Sequence, residues 1–265
     1  MNPRMPERRR PTDRTDRRSR PVGRAKGRGE SPPSEATLLD DLVARLPGIE
    51  DRASLTLAIT EYLSELREWN ARGNLVSQSD LGRLVSRHVA ESFAALPWID
   101  RANAAQIIDV GSGGGFPIVP LKLARPKLRA ALVESRRMKS LFLRRVAERL
   151  DLRDIWVWNM RIESLAELPL ASRSAGLDEV GESSIEDQPV SRPSVDVVTA
   201  RAVAALANLA RWSERLVSPG GRLLAFKGSR LSEELEEWRR DPGSWRLEEL
   251  SPVSPEIQIV VLRRG

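Results

Sequence analysis

The residues most apt for chemistry in this chain are a run of glycines set between two acids. Asp109 lies just before Gly111-Ser112-Gly113-Gly114-Gly115, and Glu134 follows 23 residues after Gly111. Glycine at such a turn reaches left-handed backbone angles and removes side chains, so the main chain can touch a ligand. The nicotinamide fingerprint G-x-G-x-x-G calls for glycine at 116, where this chain carries Phe116 followed by Pro117. Bulk and a rigid ring there leave poor access for a pyrophosphate at a helix N-terminus. A Gly-Lys-Ser/Thr phosphate loop is also missing, so dinucleotides and nucleoside triphosphates are both disfavoured. Glu134 ends a second apolar run, where a carboxylate can accept both ribose hydroxyls of an adenosine. Asp109, inside the first run, must be hydrogen-bonded or charge-paired to be buried. It either braces the loop or faces a cationic ligand, and both uses suit an adenosyl sulfonium better than a pyrophosphate. The pattern points to S-adenosylmethionine.

Other chemistries are excluded by composition. There is no Cys and one His, which rules out thiolate zinc sites, iron–sulfur clusters, Cys nucleophiles and multi-His metal centres. His88 sits among Val85, Val89 and Phe93 and reads as a packing or capping residue rather than a general base. Trp156 and Trp158 could stack a flipped base, but in a short strand they read as core.

The elements that must position these residues follow from periodicity. A short helix is predicted over Thr37–Leu46. Leu55, Ile59, Tyr62, Leu63, Leu66 and Trp69 recur at helical spacing, and Gly73-Asn74 ends that second helix. A third runs from about Leu81 to Leu96, closed by Pro97. From Gln106 the rhythm changes to short apolar strands alternating with helices. Strands are expected at 107–110, 130–134, 155–158, 195–200 and 221–226, then around 245–250 and 257–262. The helix over Arg136–Leu150 is expected to turn Leu141, Leu143, Val146 and Leu150 inward. Such alternation means an open, mostly parallel α/β sheet.

The charge is uneven. Of 43 Lys+Arg and 37 Asp+Glu, residues 1–30 hold 11 and 4, leaving 32 against 33 in the rest. Residues 1–36 therefore read as a disordered basic tail, either a polycation tracking RNA phosphates or a solubilising extension. Residues 37–100 read as a helical cap and 101–265 as the sheet domain. Within it, the Ser-, Glu-, Asp- and Pro-rich stretch 172–194 reads as a disordered insertion. The chain has no apolar run approaching the ~20 residues that cross a bilayer, and a cytoplasmic location is the expectation.

Asp109-Val110-Gly111-Ser112-Gly113-Gly114-Gly115-Phe116-Pro117 closely resembles the glycine motif of the ribosomal RNA small subunit methyltransferase G family (RsmG/GidB). The resemblance continues through Trp69-Asn70 with Asn74-Leu75, Arg87-His88 with Glu91-Ser92, and Glu134-Ser135 with Lys139 and Phe142-Leu143. Arg161 with Glu163, Arg201-Ala202 and Lys227-Gly228 extend it. It departs from the family at Ile118, where glycine is usual, and at Met138, where a basic residue is frequent. The resemblance implies a class I S-adenosylmethionine-dependent methyltransferase: Rossmann-like, seven-stranded, the last strand antiparallel, with a small N-terminal helical region. It implies the N7 of one guanine in 16S ribosomal RNA as acceptor, with naked RNA or the small ribosomal subunit as partner. Its cofactor contacts carry over to Gly111, Phe116, Ile162-Glu163 and Arg201, beside Gly113 and Glu134 from the reading above. Arg87, Lys139 and Lys227 are the candidates for RNA phosphates.

Guanine N7 carries a lone pair and no proton, so its methylation needs positioning rather than a general base. Arg201 either anchors the cofactor's surroundings or a phosphate, or forms a structural ion pair. A noncatalytic ribosome-assembly factor on the same fold is the alternative, resting on Ile118 and Met138. A small-molecule methyltransferase suits the same loop, but the motifs of the cap argue against it.

Overall fold

The computed structural model describes residues 33–170, Leu177 and 188–265. The expected basic tail lies outside them through residue 32, as does the expected insertion apart from Leu177 and residues 188–194. Helix α1 spans Glu35–Ala44, starting two residues before Thr37 because Ser34 Oγ accepts the Thr37 amide at 3.1 Å and caps the first turn. Helix α2 spans Arg52–Gly73, capped by Asp51 and ended by Asn74 in the left-handed region at φ 44°. Its inward stripe of Leu55, Ile59, Tyr62, Leu63 and Leu66 is buried, each apolar side chain contributing about 1.5–3 kcal/mol on leaving water.

The expected single helix over 81–96 is instead a composite. A 3₁₀ turn at Gln78–Arg83 runs into a π-helical turn at Leu84–Val89, then α3 at Ala90–Phe93 and α4 at Leu96–Arg101. The wider turn brings Leu84, Val85, His88 and Val89 all to the buried side. Pro97 opens α4 rather than closing a helix, because the first turn needs no amide donor there.

Seven strands follow: β1 Gln106–Val110, β2 Arg129–Val133, β3 Ile155–Trp158, β4 Val195–Arg201, β5 Val217–Lys227, β6 Trp245–Pro252 and β7 Gln258–Arg264. Their order is β3-β2-β1-β4-β5-β7-β6, with β7 antiparallel to both neighbours and the first five strands parallel. This is the class I methyltransferase topology. Connecting helices are α5 Ile118–Ala124, α6 Arg137–Arg149, α7 Ile162–Glu167, α8 Leu206–Glu214 and α9 Leu231–Arg240.

Side chains of alternate residues feed two cores. One joins the sheet to α5, α6 and the N-terminal helices; the other joins it to α7, α8 and α9. The helices read as a cap thus share a core with the sheet, and Ser34–Gly265 form one unit. On α6, Leu141 faces outward at 38% exposure, against expectation, because Phe142, Leu143, Val146 and Ala147 already fill the inner arc. Leu177 is buried in the second core, its amide donating to Gln106 Oε1 at 2.6 Å, and Arg192 bridges Leu170. Those described parts of the expected insertion touch the body. Among the described residues no helix is long and apolar enough to cross a membrane.

Candidate cofactor and substrate site

The carboxyl ends of β1, β2 and β4 form the crevice where an open parallel sheet accepts its ligand. After Val110 the chain turns through Gly111 at φ 66°, Gly113 at 55° and Gly115 at 92°. Sterics demand glycine at two of them. A Cβ on Gly111 would stand 2.5 Å from Val203 Cγ2, and one on Gly115 would stand 2.8 Å from Val119 Cγ2. Gly113 differs, facing a gap whose nearest atoms to such a Cβ are Gly111 O at 3.6 Å and Lys139 Nζ at 3.9 Å.

Glu134 holds this turn from below. At 6% exposure, its Oε2 accepts the Gly113 amide at 2.9 Å and its Oε1 the Arg136 amide at 2.7 Å. Asn159 Nδ2 donates to the Glu134 carbonyl at 2.8 Å, so the end of β3 fixes the acid from the other side. A carboxylate offers about four lone-pair positions, and the two left over on Glu134 can receive ribose hydroxyls. Asp109 is 1% exposed; Thr199 Oγ1 donates to its Oδ1 at 2.6 Å, while Oδ2 has no hydrogen-bond partner. Burial pushes its pKa up to about 7, against the pull of the Thr199 hydrogen bond. Bare backbone at Gly113, spare acceptors on Glu134 and an unpartnered oxygen on Asp109 fit an adenosyl group bearing a cationic sulfur.

The N-terminal helices brace the loop. Tyr62 donates its hydroxyl to Gly114 O at 2.5 Å, and its ring lies 5.4 Å from that of Phe116. His88 stacks on Phe116 as well, with ring centroids 4.8 Å apart. Burial pushes the His88 pKa down to about 4, helped by the Arg201 charge, so the ring is neutral at pH 7. Its Nε2 stands 3.7 Å from Asp80 without a hydrogen bond. His88 is therefore a packing residue behind the loop, as its sequence neighbours implied.

Arg201 forms the structural ion pair that was one of its two expected roles. One nitrogen pairs with Glu91, and Nη1 is buried without a partner. Phe116 contributes its ring to the cap side of the loop, and Ile162-Glu163 open α7 just past β3, Ile162 buried in the second core. Arg87 is paired with Asp80 at 2.8 Å and approaches Glu91 at 3.6 Å. Lys139 lies at the loop, its pKa lowered by burial although Glu134 draws it upward. Lys227 needs correction as an RNA contact. It is 7% exposed, with Nζ 2.7 Å from Glu234 and donating to Ala204 O at 2.5 Å, so its charge is neutralised inside. Trp156 and Trp158 are core residues.

Tyr62, Thr199, Asn159 and Val203 escaped the sequence reading as parts of the site. Only Tyr62 left a signal: a lone tyrosine in an apolar stripe needs a partner for its hydroxyl.

The GidB family model, described as rRNA small subunit methyltransferase G, matches residues 56–256. A protein of Roseiflexus sp. (strain RS-1) named Ribosomal RNA small subunit methyltransferase G is 42% identical over 67% of this chain and 67% of its own length. One of the same name from Xanthomonas axonopodis pv. citri is 32% identical over 88% of this chain and its entire length, 100%. Among solved structures, one from Klebsiella pneumoniae assigned as an O-methyltransferase superposes with a TM-score of 0.52 at 13% identity, covering 86% of this chain and 96% of that one.

Proposed function

Because the chain belongs to the rRNA small subunit methyltransferase G family, we propose that its glycine crevice serves the methylation of one guanine at N7. The activity is S-adenosylmethionine-dependent methylation of 16S ribosomal RNA. When bound, S-adenosylmethionine supplies an electrophilic methyl group on a sulfonium. The observation that carries the site assignment is the Glu134 carboxylate bridging the Gly113 and Arg136 amides at the glycine loop. Gly111 and Gly113 bring backbone to the cofactor, Glu134 orients its ribose, and Phe116 holds the loop between Tyr62 and His88. Ile162 and Glu163 border the adenine side. Asp109 Oδ2 and Arg201 Nη1 are buried polar atoms without a hydrogen-bond partner.

No residue has to remove a proton, since N7 carries a free lone pair. The neutral, stacked His88 and the absence of Cys agree with catalysis by position and electrostatics. On the RNA side Lys139 at the loop remains; Arg87 is engaged by Asp80 and Glu91, and Lys227 by Glu234. The substrate is the rRNA, naked or within the small subunit, and a cytoplasmic site of action goes with it. Ile118 and Met138 do not favour a noncatalytic factor: Ile118 is buried in α5, and Met138 is 45% exposed on α6.

The test is Gly111→Asp. Its Cβ would collide with Val203 at 2.5 Å, at a left-handed backbone angle that side chains rarely adopt. Calorimetry should find S-adenosylmethionine binding lost, about 100-fold or more, and methyl transfer to undermethylated 30S subunits abolished, consistent with a cost of about 3 kcal/mol for forced strain. Unchanged cofactor affinity would reject the site.

A further inference from the structure

Three arginines converge at the opposite end of the sheet from the glycine crevice. Arg192 precedes β4, Arg215 lies between α8 and β5, and Arg264 ends β7. With Ser194 and Glu214 they border a recess of about 610 Å³. Backbone carbonyls hold two of them there: Arg192 donates to Arg215 O and, through Nε, to Leu168 O at 3.1 Å, while Arg264 donates to Val217 O. Among the described residues none of the three is ion-paired with a carboxylate. Glu214, the acid of the lining, already accepts from the Ser244 amide at 3.1 Å and from its hydroxyl.

Three guanidinium groups against the one carboxylate of Glu214 leave the lining net positive. Burial lowers the pKa of Arg192, and the charges of Arg215 and Arg264 lower it further. Arg264 Nε is buried with no hydrogen-bond partner. Two hydroxyls, Ser194 Oγ and Ser218 Oγ, lie 2.8 Å apart beside the recess. Guanidinium forks and hydroxyls together suit a tetrahedral oxyanion, which would offset the mutual repulsion and accept the spare donor. Along β4, a strand of 7 residues, the recess is about 20 Å from the crevice, the length of its residue-to-residue steps at about 3.3 Å each.

We propose that this recess is a phosphate-binding subsite, separate from the cofactor crevice, filled by a phosphodiester of the bound RNA or by free inorganic phosphate. The experiment uses the full chain, as wild type, Arg215→Gln and Arg192→Gln/Arg264→Gln. Arg215 is exposed, so its variant keeps the fold intact. One arm measures binding of a 16S rRNA fragment across a salt series. A diester occupant predicts roughly tenfold weaker binding and a salt slope reduced by about 1, with S-adenosylmethionine affinity unchanged. The second arm measures thermal stabilisation by inorganic phosphate against chloride at matched ionic strength. Loss of that stabilisation in the variants, with RNA binding intact, assigns the site to free phosphate. Wild-type behaviour of Arg215→Gln and of the double variant in both arms overturns the proposal. Cofactor affinity is read in every sample, so failure of the crevice assignment stays distinguishable.

Discussion

Strands β1 and β4 carry a buried or half-buried acid at each end of their shared ladder, and the two acids are treated differently. At the amino end, Asp196 of β4 accepts the Ala105 and Gln106 amides at 2.8 and 2.9 Å, stitching the start of β1 to its neighbour. At the carboxyl end, Asp109 of β1 takes one hydrogen bond from Thr199 and keeps one oxygen bare. Saturated polar groups stabilise; a buried acceptor left open costs stability and is retained where a ligand arrives.

Removing the saturated acid should give the largest stability effect. Asp196→Ala is expected to cost about 1.5–3 kcal/mol by stripping two amides of a charged acceptor, read as a fall in urea midpoint. Cofactor affinity of the folded variant should not change; a parallel loss of affinity would erase the distinction between the two ends. Asp109→Asn probes the other acid through pH. Its folded pKa, about 7, lies above the ordinary aspartate value of 3.8, so the native state holds the proton more tightly. The contribution of Asp109 to stability is thus complete below pH 4 and declines as pH rises to about 7. The asparagine variant should lack that decline, and its denaturation midpoint should exceed wild type at pH 8. His88 works in the reverse direction. With a folded pKa near 4 against 6.5, its contribution is present above pH 6.5 and is lost toward pH 4. The smallest change is expected from Tyr62→Phe, which leaves Gly114 O without its donor. About 0.5–1.5 kcal/mol of stability and a several-fold rise in KM for S-adenosylmethionine, with kcat kept, would mark Tyr62 as positioning the loop. A change in kcat alone would contradict that role.

Much of the site was legible because its signals are local. Glycines 111 to 115, Glu134 and the apolar strand runs declare themselves within a few residues, since backbone angles and a two-residue period are short-range properties. Arg87 and Lys227 were not legible. Both are cations in family motifs, and only folding shows that Asp80 neutralises one and Glu234 the other. The composite turn over 78–93 was also hidden. Its apolar residues suit an α-helix equally well, and the π geometry follows from docking His88 against Phe116.

The sequence alone determined the alternation of elements, the sheet class and the loop that excludes a pyrophosphate, because each depends on neighbours in the chain. Tertiary structure alone decided which charges stay available. The partners of Asp109, Arg201 and Glu91 lie 90 and 110 residues away, and a cation's use rests on what folding places beside it. Burial makes that decision sharp, since an unpartnered ionic group in a low-dielectric interior is costly until something binds it.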